Sequence, residues 1–224
     1  MAQLKKGDNH ATFAKILADG KFHVQCEQNE EGAEAREIES KDGEKKTVYE
    51  HLFGSLDGKI SSLEIKEGGF GDVLYIGLDN EIVLTVGTAN SFGTDLLKKI
   101  PNIDVEKEVE FKPFSFANEA GKSVQGVSVL QGNEKVLNYF FDAQTKTNLH
   151  DFPVIDEDGK PEKGTKEWTR FWRDYFENVE DFLVKHVKAN KSIVHEEKEG
   201  LKEELVKAEA EADRDLVDPA DVPF

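Results

Sequence analysis

From Leu56 onward the chain is divided by turn-forming pairs at short intervals, and the text between them is β-branched or aromatic. Asp57-Gly58, Gly68-Gly69 and Asp79-Asn80 each favour a tight turn, because Gly, Asn and Asp tolerate positive φ at little cost. Between them lie Ile60–Ile65, Val73–Leu78 and Ile82–Val86, all of strand length. The period then changes. Ser91 can cap a short helix through Thr94-Asp95-Leu96-Leu97-Lys98-Lys99-Ile100, which Pro101 stops. Strands resume at Val109–Phe116, turn at Asn118–Gly121, and continue at Ser123–Leu130. After Gln131-Gly132-Asn133-Glu134 the run Val136–Phe141 predicts one more.

Three strands, a short helix and two or three further strands give a mainly β, α+β class. That order fits an OB-fold-like, five-to-six-stranded antiparallel barrel with its helix between the third and fourth strands. The barrel is expected over 47–141. Residues 1–46 form an N-terminal extension with possible strands or a hairpin around Phe22, Val24 and Cys26, and the acidic stretch from Glu27 to Glu44 reads as a loop or hairpin tip. A polar linker, 142–165, leads to an amphipathic aromatic helix at 166–193. Its stripe of Trp168, Phe171, Trp172, Tyr175, Phe176, Val179, Phe182, Leu183 and Val187 has helical spacing and is too apolar to stand alone in water. It is expected to pack on the barrel or across a homodimer interface. An acidic helix and disordered tail occupy 194–224.

Charge narrows the functional classes. The net charge is −17, and residues 196–224 alone hold eleven acids against four bases. Even the expected barrel is acidic, with 14 acids and eight bases over 54–142. Such a field repels anions at long range, so nucleic-acid binding requires the bases to gather on one face. One cysteine, Cys26, excludes an internal disulfide framework and every multi-cysteine metal site, and suits a reducing cytoplasm. The start has no apolar signal segment and no window is long enough to span a membrane. His10, His23, His51, His150, His186 and His195 show no metal-ligand spacing. Gly69-Phe70-Gly71 lacks the third glycine of a dinucleotide loop, and no phosphate loop or nucleophile elbow is present. The expectation is a protein without catalysis, metal or cofactor.

The chain ends Asp218-Pro219-Ala220-Asp221-Val222-Pro223-Phe224. A terminal Phe offers a ring and a carboxylate together. A partner can capture both in an apolar pocket rimmed by cations, with Asp218 and Asp221 adding steering.

Acidic tails ending Asp-x-Pro-Phe are similar to those of bacterial single-stranded-DNA-binding proteins. The middle of the chain resembles a group of bacteriophage single-stranded-DNA-binding proteins with an oligonucleotide-binding fold. The resemblance rests on Gly58-Lys59-Ile60, on Phe70-Gly71-Asp72-Val73-Leu74-Tyr75-Ile76, on Ile100-Pro101-Asn102-Ile103-Asp104, and on Phe111-Lys112-Pro113-Phe114-Ser115-Phe116 followed by Gly121-Lys122. It covers 47–141 and the last seven residues. It implies a protein that coats single strands during replication, recombination or repair and recruits partner proteins through its tail.

Single-strand binders stack bases on aromatic rings and follow phosphates with Lys or Arg. Alternation along Phe111–Phe116 sets Lys112, Phe114 and Phe116 on one face and Phe111, Pro113 and Ser115 on the other. The first face is a stacking strip with a cation. The opposite assignment, with Phe114 and Phe116 in the core and Phe111 outside, satisfies the same alternation. Phe70, Tyr75 and Tyr139 are further stacking candidates. Lys59, Lys66, Lys98, Lys99, Lys122 and Lys135 are candidate phosphate contacts. A different class also fits: a non-enzymatic protein–protein adaptor in which the barrel is scaffold for the aromatic helix.

Overall fold

The computed structural model describes residues 11–39, 44–69, 71–155 and 159–189. Its centre is a meander of β5 (Leu56–Gly68), β6 (Gly71–Leu78) and β7 (Ile82–Gly87). The β6–β7 turn is built from Asp79 and Asn80 at φ 51° and 58°, closed by the Glu81 N–H on the Leu78 carbonyl. Positive φ at both central residues matches the right-handed twist of the flanking strands. Asp57-Gly58, by contrast, makes no turn. It lies inside β5, where Gly58 is buried beneath the β6–β7 turn, and the Asp79 carboxylate accepts the Lys59 N–H at 3.0 Å. A Cβ on Gly58 would sit 2.6 Å from that carboxylate.

On one side, β7 pairs in parallel with β1 (Thr12–Ile16). The sheet continues antiparallel through β2 (Phe22–Cys26) and β4 (Lys45–Phe53) to β3 (Glu34–Glu39). The acidic stretch expected to be loop thus contains β3, because β4 offers it a pairing edge. On the other side, β5 switches partner. Leu56–Lys59 pair with β8 (Glu108–Ala117), and from Ile60 onward the strand pairs with β6, with an irregularity between Ile60 and Ser62. β8 forms a full-length hairpin with β9 (Ser123–Gln131), followed by the two-residue β10 (Glu134–Lys135). Past β10 the expected strand over Val136–Phe141 is irregular. Val136 and Phe140 anchor it in the core, and only β11 (Phe141–Asp142) pairs, with β12 (Thr147–Asn148).

The result corrects the expected architecture. The sheet is ten-stranded, mixed and open, in the order β10-β9-β8-β5-β6-β7-β1-β2-β4-β3, not a five-to-six-stranded closed barrel. The physical reason is that β7 spends its second edge on β1, so it is not available to close the sheet onto β9. The two wings still curve around one core. Phe22 and Val24 from one wing, Phe111, Val127 and Val129 from the other, and Leu74, Ile76 and Leu84 from the centre belong to one buried cluster.

Two non-strand devices join the wings. The Leu17–Lys21 turn between β1 and β2 lies against β8, where a Cβ on Gly20 would fall 2.5 Å from the Ser115 nitrogen. The Gln125 amide donates to the Ala18 carbonyl of that turn at 3.2 Å. The second device is α1 (Ser91–Leu97), which covers the free edge of β9. Its cap is Asn90 rather than Ser91: the Asn90 side chain accepts the Gly93 N–H at 2.8 Å.

The longer helix α2 (Lys166–Ala189) opens with the Thr165 hydroxyl accepting the Trp168 N–H at 3.1 Å. Its second half buries Val179, Leu183, Val184 and Val187 in the main core. Polar contacts tie that half to the sheet: Glu180 accepts from the Thr88 hydroxyl, and Lys188 pairs with Asp72 at 3.3 Å. In the first half Trp168, Phe171 and Trp172 are half-buried and Phe176 is 61% exposed. The stripe is therefore a core element only from Tyr175 onward, apart from Phe176. No helix among the described residues is long and apolar enough to cross a membrane.

Candidate nucleic-acid interface

The β8–β9 hairpin settles the two-faced reading of Phe111–Phe116. Phe111 is fully buried and Pro113 is buried with it, whereas Lys112, Phe114 and Phe116 share the outer face. Phe116 is 54% exposed and Phe114 is half-buried, their ring centroids 5.9 Å apart. Across the hairpin, Ser128 opposes Lys112, Gly126 opposes Phe114 and Val124 opposes Phe116. Gly126 matters here, because a Cβ on it would come within 2.8 Å of the Phe114 ring and 2.6 Å of the Asp95 carboxylate. The end of the Phe114 ring thus occupies the space that a side chain at 126 would need.

Charge along this face is graded. At its lower end Asp57 opposes Glu110 and Lys59 opposes Glu108, and Lys59 pairs with Glu106 at 2.8 Å. Lys112 pairs with Glu110 at 2.7 Å, so an incoming phosphate competes with a carboxylate for it. At the upper end Lys122, just past the Asn118–Gly121 turn, is exposed. The outer face is thus acidic at its lower end and aromatic towards the hairpin tip, where Lys122 and Glu119 are both exposed and the Asp95 carboxylate lies beside Gly126.

Other candidates are placed elsewhere. Lys135 is exposed on β10, near the opposite end of the hairpin. Tyr75 is buried on the other side of the central sheet with Val73 and Val83, and Lys66 lies over its ring at 5.7 Å while pairing with Glu64. Tyr139 stacks on His150 at 3.9 Å within a cluster that includes Phe140 and His186. Burial and the nearby His150 push the His186 imidazole below its ordinary pKa. Lys98 lies over the Phe152 ring at 5.5 Å. Burial holds its pKa below the usual lysine value, against the pull of Asp95 and with a smaller push from Lys99. Phe70 and the 218–224 segment (Asp218, Asp221, Val222, Pro223 and Phe224 among them) fall outside the described residues.

Lys99 has a structural role. It is 8% exposed, donates to the Val127 carbonyl at 2.6 Å and pairs with Asp95 at 2.6 Å. Asp95 in turn accepts the Val127 N–H at 2.7 Å. Val127 opposes Pro113, and β9 turns its backbone groups outward at that position, so α1 supplies by side chain what a closing strand would have supplied by backbone. Helical i,i+4 spacing of Asp95 and Lys99 was visible in the sequence; that both reach one backbone residue, 32 and 28 positions on, was not.

A second charged group lies on the other wing. Glu50, 7% exposed, receives two hydrogen bonds from Arg36 and one from His23, whose other ring nitrogen faces Asp19 at 3.1 Å. Burial favours the neutral acid, but Arg36 and His23 outweigh it and hold the Glu50 carboxyl at about 2. Burial likewise opposes charge on His23, and the bonds to Glu50 and Asp19 overcome it, raising the imidazole above its ordinary value. This group ties β2, β3 and β4 together.

Comparison of the chain with protein-family models, with curated proteins and with solved structures gives no match.

Proposed function

We propose that this protein binds single-stranded DNA without catalysis, through the outer face of the β8–β9 hairpin. It would act in replication, recombination or repair in the cytoplasm, in the manner of the bacteriophage single-strand binders its sequence resembles. The observation that carries the reading is the alignment of Lys112, Phe114 and Phe116 on one outer face, with Gly126 opposite Phe114 leaving room for its ring. Rings 5.9 Å apart suit bases of a stretched single strand, since bases in a duplex repeat at about 3.4 Å along each strand. The β8 edge beside the aromatic pair is met by the Leu17–Lys21 turn rather than by a strand, so the strip is approached from its outer face. The 218–224 segment would recruit replication or recombination proteins.

The test is titration of a fluorescent oligo-dT and of a matched duplex at several salt concentrations. Binding should favour the single strand and weaken as salt rises, because phosphate contacts release counterions. Phe114→Ala with Phe116→Ala should cost about 1–3 kcal/mol for each base lost from stacking. Lys112→Glu with Lys122→Glu should also weaken binding. Equal affinity for duplex, or no response to salt, refutes the reading.

A second reading rests on the first half of α2. Phe176 is exposed beside Trp172, and Lys160 lies 5.2 Å from the Trp172 ring centroid. If oligo-dT does not bind, an adaptor that uses this aromatic face to hold another protein is the reading that remains.

A further inference from the structure

The loop that follows β2 brings two donors four residues apart, Cys26 and Glu30, to a third, His51, more than twenty residues on. Cys26 is the last residue of β2 and opposes Tyr49, while His51 opposes Val24, so Cys26 and His51 are diagonal neighbours on one face. The turn of 27–33 carries Glu30 over that face. It is held by the Glu30 N–H on the Glu27 carbonyl at 3.1 Å and the Ala33 N–H on the Glu30 carbonyl at 3.2 Å. One Glu30 carboxylate oxygen accepts the Glu27 N–H at 2.8 Å, which fixes the carboxylate, and the other lies 3.3 Å from His51 Nε2. A sulfur, an imidazole nitrogen and a carboxylate oxygen all lie within 4.8 Å of one another.

We propose that Cys26, Glu30 and His51 bind a zinc-class divalent cation, with three protein ligands and a solvent molecule in the fourth position. The donor chemistry selects the metal. Thiolate and imidazole favour zinc, whereas magnesium and calcium take oxygen donors. The geometry is close to what zinc requires. Bonds of about 2.1 Å to nitrogen and oxygen in a tetrahedron set those donors about 3.4 Å apart, near the observed 3.3 Å between Glu30 and His51. The sulfur needs to close by at most about 1.2 Å, since its longer bond to zinc sets its own spacings at about 3.6 Å. Cys26 and His51 are half-buried and Glu30 is exposed, so solvent reaches the remaining position. The bound ion would pin the 27–33 loop to β2 and β4. The site lies on the wing away from the β8–β9 hairpin and does not depend on DNA binding.

The chain contains one cysteine, which makes the test specific. Cobalt(II) titrated into the reduced full chain should produce a thiolate-to-cobalt charge-transfer band that can arise only from Cys26. The band should saturate at one cobalt per chain, be independent of protein concentration and disappear when zinc is added. Cys26→Ser should abolish it, His51→Ala should weaken cobalt binding by at least about tenfold, and Glu30→Gln should do so to a lesser degree. Zinc should raise the melting temperature of the unsubstituted chain and not of Cys26→Ser, which reads the site by a route independent of colour. No band at millimolar cobalt, a band unchanged in His51→Ala, or one that grows with protein concentration overturns the proposal.

Discussion

Lys99 separates a structural role from a DNA-contacting one. Replacing it with Met keeps the volume and removes the ammonium. The Val127 carbonyl then loses its donor at a fully buried residue, worth about 1–3 kcal/mol. Asp95, whose side chain is 28% exposed, loses its ion-pair partner for less than about 1 kcal/mol. Lys99→Met should therefore cost about 2–3 kcal/mol in urea denaturation, or roughly 4–12 °C in Tm for a chain of this size. Asp95→Ala should cost more, about 3–5 kcal/mol, because it leaves the buried Lys99 charge with no anion and the Val127 N–H with no acceptor. The double variant removes both charges together, so its cost should fall at least about 1 kcal/mol short of the sum of the single costs. Oligo-dT affinity of folded Lys99→Met should be unchanged. If either single change costs less than about 0.5 kcal/mol, α1 does not hold the β9 edge. If Lys99→Met stays folded and loses DNA, the residue contacts phosphate.

Acid should act on the opposite wing. Glu50 is held at about 2 against an ordinary 4.5, so its contribution is complete above pH 4.5 and is lost as pH falls towards 2. The loss amounts to roughly 3 kcal/mol, and Glu50→Gln should flatten that limb of a stability–pH curve measured by denaturant. His23 has the opposite sign. Its raised pKa stabilises fully below pH 6.5 and the benefit fades as pH climbs through the folded-state value, so His23→Gln should remove a decline on the alkaline side. Gly126→Val should destabilise by about 1–3 kcal/mol, because the new side chain must displace the Phe114 ring and the Asp95 carboxylate. The same change should weaken oligo-dT binding in whatever fraction stays folded. Removing residues 211–224 deletes five acids and one base, so DNA affinity at low salt should rise a few-fold while partner recruitment is lost. No gain in affinity would show that the tail does not compete for the binding face.

Period and turn chemistry were enough to locate most elements between Leu56 and Gln131. The runs Val73–Leu78 and Ile82–Val86 were strands because β-branched text bounded by Asp79-Asn80 has few other uses. Alternation alone also paired Lys112 with Phe114 and Phe116. Which of the two faces was outside it did not say, because Phe111 is as apolar as Phe114; burial of Phe111 against the opposite wing decided that. Local text misled where a distant partner overrode it. Gly58 reads as a turn, yet it is a strand residue because the β6–β7 turn needs room above it. Glu34–Glu39 reads as a solvated loop, yet β4 recruits it as an edge strand. The closed barrel was the largest such error, since a parallel pairing between β1 and β7, about seventy residues apart, leaves no local trace. The Cys26–Glu30–His51 cluster is of the same kind. Sequence settled which donors exist, and the β2–β4 register, a long-range pairing with no signature of its own, decided that they meet.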